Sequence, residues 1–409
     1  MQMQDFIKIV GNGRKTARDM TYEEASAAMT LILEGKASEG QTAAFMAALR
    51  IKEESGTELA AFAATLRRYC RTVKAEQPKL VDLGLPYDGR SKSLSLTPAA
   101  ACIAAATGAA VAMHGRPGPT TPPKFGLGVG DTLAALGIEV GTTPEEAARL
   151  LENPAVGLAF VSTARFAPYL EEFNRWRLDY GLRSFFNSIE KLLNPFGAPV
   201  GLAGVFHGPV LSKVAETLAG QGFRRGLAVH GPEGSLDVLT SRTTRLVEFG
   251  GPGSGSRDEL NTWLIDPADF GWRTPSRPES AYAAPNQPAN STEAIDGEPA
   301  LPSLSAQENA ELTLRLLNRK EPDVRLQHSA LLSAGLLIYA AGCAGNLKDA
   351  VALAEEALFS GEALARLESW RKASCVTRFS RHVKAGQVEA LPKVARVEFG
   401  SKMKEAYQA

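Results

Sequence analysis

The stretch from Val81 to Gly137 constrains the fold more than any other. An apolar start, Leu80–Leu85, runs into a glycine-bearing polar loop, Tyr87-Asp88-Gly89-Arg90-Ser91-Lys92-Ser93. An alanine-rich helical run from about Pro98 to Thr107 follows, then a short apolar strand, Ala109–Met113, and a second polar loop, His114–Gly130. This order is one β-loop-α-β unit with both loops at the same edge of a sheet. In open α/β sheets ligands bind at the carboxyl ends of strands, where loops and helix N-termini offer backbone N–H groups to anions. Arg90, Lys92, Arg116 and Lys124 place four cations in those two loops, which favours anion binding over ordinary surface charge. A phosphorylated ligand suits the Gly, Ser, Thr, Arg and Lys found there.

Before this unit, three helices come in quick succession. Thr21 with Glu24 and Ser38 with Gln41 form capping boxes, and a third helix starts at Thr57. Connections this short predict a small helical bundle over residues 1–76, completed by helices within 165–195. After the unit, helix and strand signals alternate. Thr143-Pro144-Glu145-Glu146 opens a helix, Val156–Val161 is an apolar strand, and a long helical run extends from about Arg165 to Tyr180. Further strands are expected at Gly201–Phe206, Gly226–His230 and Arg245–Phe249. The fold class is therefore α/β: a helical bundle domain plus a larger domain, 80–374, with a mostly parallel sheet flanked by helices.

Two segments break the period. Residues 250–304 read as a flexible insertion rich in Gly, Pro and Ser, with six prolines after residue 272. Residues 375–409 carry seven Lys and Arg against three Glu, a modest basic tail. The 45 basic and 45 acidic residues cancel, so net charge draws the chain to neither nucleic acid nor membrane. Four scattered cysteines without a CxxC argue against a zinc cluster or disulfide scaffold and for a reducing, cytoplasmic setting. The polar first twenty residues do not read as a signal peptide. The apolar run Ala99–Met113 is shorter than the roughly 20 residues that a membrane span needs.

Taken in order, several segments resemble glycosyltransferase family 3, the group of anthranilate phosphoribosyltransferase, whose fold is shared by pyrimidine nucleoside phosphorylases. They include Leu33-Glu34-Gly35-Lys36-Ala37-Ser38, Gln41–Lys52, Val111-Ala112-Met113-His114-Gly115 and Asp131–Gly137. Arg183–Asn187, Leu193-Asn194-Pro195, Glu216-Thr217-Leu218 and Glu308-Asn309-Ala310 continue the match. The resemblance implies phosphoribosyl diphosphate, or another phosphorylated small molecule, bound between the two domains, with Mg2+ as cofactor and homodimers formed through the helical domain. It implies a phosphate site at Asp88, Gly89, Arg90, Ser91, Lys92, Ser93, Gly115, Arg116, Thr120, Thr121, Lys124, Arg183 and Asn187. His114 is implied to touch ligand, Arg177 falls where the family binds its acceptor, and Asp237 with Glu233 would hold the metal.

Each phosphate-handling device departs from the family pattern. The glycine-rich GTGGD loop reads Gly84-Leu85-Pro86-Tyr87-Asp88-Gly89, and the Lys-His-Gly-Asn segment reads Met113-His114-Gly115-Arg116. Leu236 replaces the Asp of the acidic pair and Asp237 its Glu, while Glu190-Lys191 stands for the usual glycine-proline. These departures resemble a divergent paralogue subgroup with a YDGR loop, an EKLLNP segment and an EGS segment, some of whose members look like nucleic-acid-binding homodimers. Two functions follow as expectations. One is phosphoribosyl transfer to an aromatic or nucleobase-like acceptor with weak or no anthranilate activity. The alternative is a non-catalytic nucleic-acid-binding homodimer that uses the degenerate phosphate site and a basic patch.

Overall fold

Side-chain caps start the N-terminal helices where the sequence places them. The computed structural model describes residues 1–13, 15–91, 93–118, 126–251, 259–274 and 305–384, the side chains of 175 and 376–384 excepted. After α1 (Met3–Gly11), the Thr21, Ser38 and Ser55 hydroxyls each accept the N–H three residues on, opening α2 (Tyr22–Leu33), α3 (Glu39–Lys52) and α4 (Gly56–Arg68). Their apolar faces converge on Phe45, Leu49, Phe62 and Leu66, all fully buried. The expected long helix from Arg165 is instead two helices, α8 (Thr163–Phe166) and α9 (Tyr169–Tyr180), because Pro168 lacks the N–H that a continuous helix requires. Together with α10 (Phe186–Ile189), α9 packs on α3 and α4. Phe185 lies over Phe62 at 4.5 Å and against Phe45 at 6.3 Å between ring centres.

The larger layer is a seven-stranded sheet. In chain order the strands are β1 (Leu80–Gly84), β2 (Ala110–Gly115), β3 (Leu158–Ser162), β4 (Val200–Val205), β5 (Arg225–His230), β6 (Thr244–Phe249) and β7 (Asn261–Ile265). Their spatial order is β3-β2-β1-β4-β5-β6-β7, with the first five parallel and the last two antiparallel. The parallel strands are buried on both faces, as their unbroken apolar runs require. Helix α5 (Thr97–Ala106), made largely of alanine, is buried over nearly its whole length. Its lack of bulk lets the C-terminal helices α13 (Val324–Ala340), α14 (Leu347–Phe359) and α15 (Glu362–Lys384) close against it. Helices α6 (Val129–Ala135), α7 (Pro144–Glu152), α11 (Leu211–Gly220) and α12 (Ala306–Leu317) complete the cover.

Strand β7 corrects the reading of 250–304 as insertion throughout. It is an edge strand with its exposed side towards solvent, so it lacks the continuous apolar run that marks the parallel strands. Pairing with β6 from Thr244–Ile265 to Glu248–Asn261, and the Trp263 indole N–H donated to Glu248 at 2.9 Å, hold it in place. Residues 252–258 and 275–304 lie outside the described residues, as does the tail beyond Lys384. Among the described residues no helix is long and apolar enough to cross a membrane.

The strand order also decides where a ligand can enter. From β1 the chain proceeds to β2 on one side, and β4 returns to β1 on the other. The sheet therefore has its topological switch point between β1 and β4, where the loops leaving their carboxyl ends diverge and open a crevice.

Candidate functional site

A cavity of about 180 Å³ occupies that switch point. Pro86 and Asp88 from the loop after β1, Phe206 and His207 from the loop after β4, and Glu233 from the segment after β5 line it. Arg50, Glu54 and Leu59 come from the helical layer, Lys213 and Val214 from the start of α11, and Arg183, Asn187 and Lys191 from the segment around α10. Arg50 and Lys213 form no ion pair among the described residues. Lys191 donates to the Gly204 carbonyl. Burial raises the Glu54 carboxyl above its usual range against the pull of Lys213 and Arg50. Four basic side chains, Arg50, Arg183, Lys191 and Lys213, line the cavity against three acidic ones, Glu54, Asp88 and Glu233, a slight excess of positive charge.

The glycine-bearing loop beside this opening is closed on itself. Gly89 adopts φ +73° and donates its N–H to the Pro86 carbonyl at 3.2 Å. The Arg90 N–H goes to Leu127 O at 3.0 Å, and the Ser91 N–H to Glu233 Oε1 at 3.0 Å. Three successive amides that the sequence offers to a phosphate are thus already used. Tyr87 turns inward: its hydroxyl hydrogen-bonds His114 Nδ1, and its ring comes within 3.8 Å of where a Cβ on Gly115 would stand. Burial pushes the Tyr87 phenol well above its usual range. His114 Nε2 lies 3.3 Å from Asp82 Oδ2, and the imidazole is wholly buried. His114 therefore braces β1, β2 and the loop from below, and does not reach the cavity as the resemblance implied.

The expected metal pair is likewise taken up. Asp237 Oδ2 pairs with the Arg90 guanidinium and accepts the Leu96 N–H at 3.2 Å, while Oδ1 accepts from the Thr97 hydroxyl at 3.2 Å. Glu233, held at φ 51°, accepts from the Ser91 N–H and hydroxyl at Oε1 and from the Ser93 hydroxyl at Oε2, the last at 2.7 Å. Leu236 is buried in the core between them. Magnesium requires nearly octahedral oxygen ligation with lone pairs turned towards it. Here the donor hydrogens of Arg90, Ser91, Ser93, Leu96 and Thr97 face those carboxylates. Among the described residues no three acidic, His or Cys side chains gather to hold a metal. These residues do not fit the ion, because long-range hydrogen bonds invisible in the sequence have claimed them.

Other implied residues are also paired internally. Arg183 bonds Asp88, Arg116 bonds Glu171 at 2.6 Å, and Arg90 fixes Ser93 through two donors. Asn187 Oδ1 accepts the Ser184 N–H at 3.1 Å and caps the turn leading into α10. Arg177 is almost wholly buried and pairs with Glu190, yet its Nε and Nη1 and the carboxylate's Oε1 have no hydrogen-bond partner among the described residues. Burial raises the Glu190 carboxyl in opposition to the pull of Arg177. Lys92, Thr120, Thr121 and Lys124 lie outside the described residues. The structure adds Arg50, Glu54, His207 and Lys213, which sequence reasoning passed over. Arg50 reads there as an ordinary cation in the last turn of a helix, and only the folded chain brings it into the cavity lining.

Comparison with known proteins agrees with this architecture. The model described as glycosyl transferase family, a/b domain, matches residues 88–364, and that of the family's helical bundle domain matches 4–70. The chain is 31% identical to the anthranilate phosphoribosyltransferase of Methanocorpusculum labreanum over 353 residues, covering 86% of this chain and 93% of that protein. It is 32% identical to that of Rubrobacter xylanophilus, with 86% and 92% covered. The crystal structure of anthranilate phosphoribosyltransferase from Thermus thermophilus superposes with a TM-score of 0.72 at 30% identity, over 91% of this chain and 98% of that one. The Saccharomyces cerevisiae protein in complex with PRPP and Mg shares the fold at 19% identity, with a TM-score of 0.71 over 91% and 98% of the two chains.

Proposed function

The chain belongs to glycosyltransferase family 3, and on that premise we propose that it transfers a phosphoribosyl group from phosphoribosyl diphosphate to an acceptor other than anthranilate. The observation that carries this reading is the cavity at the switch point, with Arg50 and Lys213 in its lining and no ion-pair partner for either among the described residues. Transfer breaks the bond between the anomeric carbon and the diphosphate oxygen as the acceptor atom bonds to that carbon. Positive charge grows on the sugar and negative charge on the departing diphosphate, so fixed cations beside the leaving group lower the barrier. With the Gly89–Ser91 amides consumed, the diphosphate is placed against Arg50, Lys191 and Lys213. Anthranilate activity is weak or absent in this reading, because the Glu190 carboxylate already holds the Arg177 guanidinium.

Titration calorimetry with phosphoribosyl diphosphate tests the donor site. Removing a charged hydrogen-bond donor costs about 1.5–3 kcal/mol, so Arg50→Ala and Lys213→Ala should each weaken binding roughly 10- to 100-fold. Unchanged affinity in both variants would sink the assignment. Diphosphate release on adding aromatic or nucleobase acceptors then reports turnover. Duplex DNA binding without turnover, falling with salt at a log–log slope near about −0.9 per phosphate neutralised, would favour the nucleic-acid-binding alternative.

The proposed unit is a cytoplasmic homodimer of two-domain chains, joined through the helical layer of residues 1–76 and its companions from 165–195. Ile51, Leu178 and Leu182, more than half exposed on that layer, supply apolar surface for the contact. Light scattering at micromolar concentration should give twice the 43.5 kDa chain mass. A monomer mass would count against it.

A further inference from the structure

We propose that the Arg90 guanidinium, paired with Asp237, has taken the place that a divalent metal would fill between the loop after β1 and the segment after β5, so that the chain takes up no metal there. The inference rests on the Arg90 geometry and holds whichever phosphorylated ligand the cavity takes. Arg90 and Asp237 are 6% and 1% exposed, and their ion pair joins the loop after β1 to the segment after β5. The guanidinium is fixed from a second direction by Ser93, which accepts from Nε at 3.0 Å and Nη2 at 2.8 Å. Its backbone is locked as well, by reciprocal N–H to O bonds with Leu127 at 3.0 and 2.8 Å. Arg90 therefore cannot withdraw without breaking a buried ion pair and the clasp between two loops.

The same contacts do what a bound metal would do mechanically. A divalent ion would tie the acidic segment after β5 to its surroundings only while it was bound. Here Arg90 joins Asp237 to Ser93, and Ser93 in turn donates to Glu233 at 2.7 Å, so the array Asp237–Arg90–Ser93–Glu233 is closed within the chain. The Leu96 N–H and Thr97 hydroxyl, at the start of α5, fill the remaining sites on Asp237. At Asp237 a divalent ion would have to displace a paired guanidinium that its own charge repels, and Glu233, which lines the cavity, already accepts from Ser91 and Ser93.

Manganese(II), whose free ion is read by electron paramagnetic resonance, tests this on the full chain without any organic ligand. Wild type should take up none at concentrations up to about 1 mM, a range that covers ordinary protein sites for such hard ions. Arg90→Ala should gain one ion per chain, and Arg90→Ala with Asp237→Asn should lose it again. One ion bound to wild type and lost in Asp237→Asn overturns the proposal. A folded Arg90→Ala that gains no ion overturns the role given to Arg90. If that variant does not fold, the wild-type titration still decides whether the site takes a metal. Calorimetry with inorganic diphosphate gives an independent reading: affinity in EDTA and in magnesium should agree within about twofold, once the metal–diphosphate complex in solution is allowed for. A tenfold or greater requirement for magnesium, equivalent to about 1.4 kcal/mol, overturns the inference. Absence of diphosphate binding under both conditions counts instead against the donor site proposed above, and the manganese result stands alone.

Discussion

Gly89→Ala should cost about 4 kcal/mol or more of folding stability, the range reserved for severe backbone and core defects. A Cβ there would lie 2.3 Å from the Gly126 carbonyl carbon and oxygen, and neither can yield without opening the Arg90–Leu127 bridge. The positive φ adds a conformational penalty that any L side chain incurs. Gly108→Ala is the control. Its φ is +91°, but a Cβ there meets nothing within 4 Å, so about 1 kcal/mol is expected. Urea denaturation of the two variants separates steric closure of the loop from the cost of backbone conformation. Equal losses would mean that the Gly89–Gly126 contact does not hold the loop shut.

The second large effect concerns Arg177 and Glu190. Removing either partner leaves an uncompensated charge in the core, so Arg177→Ala and Glu190→Ala should each lose about 3–5 kcal/mol. The double change Arg177→Met with Glu190→Leu should lose much less, because the buried pair leaves Nε, Nη1 and Oε1 unsatisfied even when intact. Additive losses in the double variant would refute this. The pH response has a definite sign. Burial raises the folded-state Glu190 carboxyl above its ordinary value of 4.5, so the folded state holds that proton more tightly than the unfolded state. The contribution of Glu190 to stability should therefore improve as pH falls through the raised value and level off below about 4.5. Glu190→Gln should flatten that component. Glu190→Gly also frees Arg177, and measurable anthranilate binding in that variant, absent from wild type, would support the carboxylate as the block.

The elements were readable where one local rule decides them. Thr21 with Glu24 and Ser38 with Gln41 announce their helices, and the run Leu80–Leu85 followed by glycine and polar residues announces a parallel strand and its loop. Ligand-binding roles were less legible because they depend on partners distant in sequence. Asp237 and Glu233 look like metal ligands until Arg90, Ser91 and Ser93, about 140 residues earlier in the chain, are seen to occupy them. His114 looks like a loop histidine until Tyr87 and Asp82 enclose it. The altered loop letters signalled that the phosphate site had changed. They did not signal that its cations had turned inward, since ion pairing is a property of the folded surface. Strand β7 was missed for a different reason: an edge strand needs a neighbour more than it needs an apolar run.

Helices α4 and α11 run side by side, with small residues at the points of closest approach. A methyl on Gly220 would stand 2.8 Å from the Ala60 Cβ, and one on Gly56 would stand 2.3 Å from the Glu216 carboxylate. Gln221 ties the seam further by donating to the Ala60 carbonyl at 3.0 Å. One of these helices carries Lys213, and the other follows the short connection that bears Glu54, with Arg50 just before it in the last turn of α3. The separation of the two helices is thus gauged by the missing methyl group at Gly220, whereas at Gly56 the Glu216 carboxylate could swing aside. A side chain added at Gly220 would act as a shim, resetting the spacing of the cations without altering any group that lines the cavity.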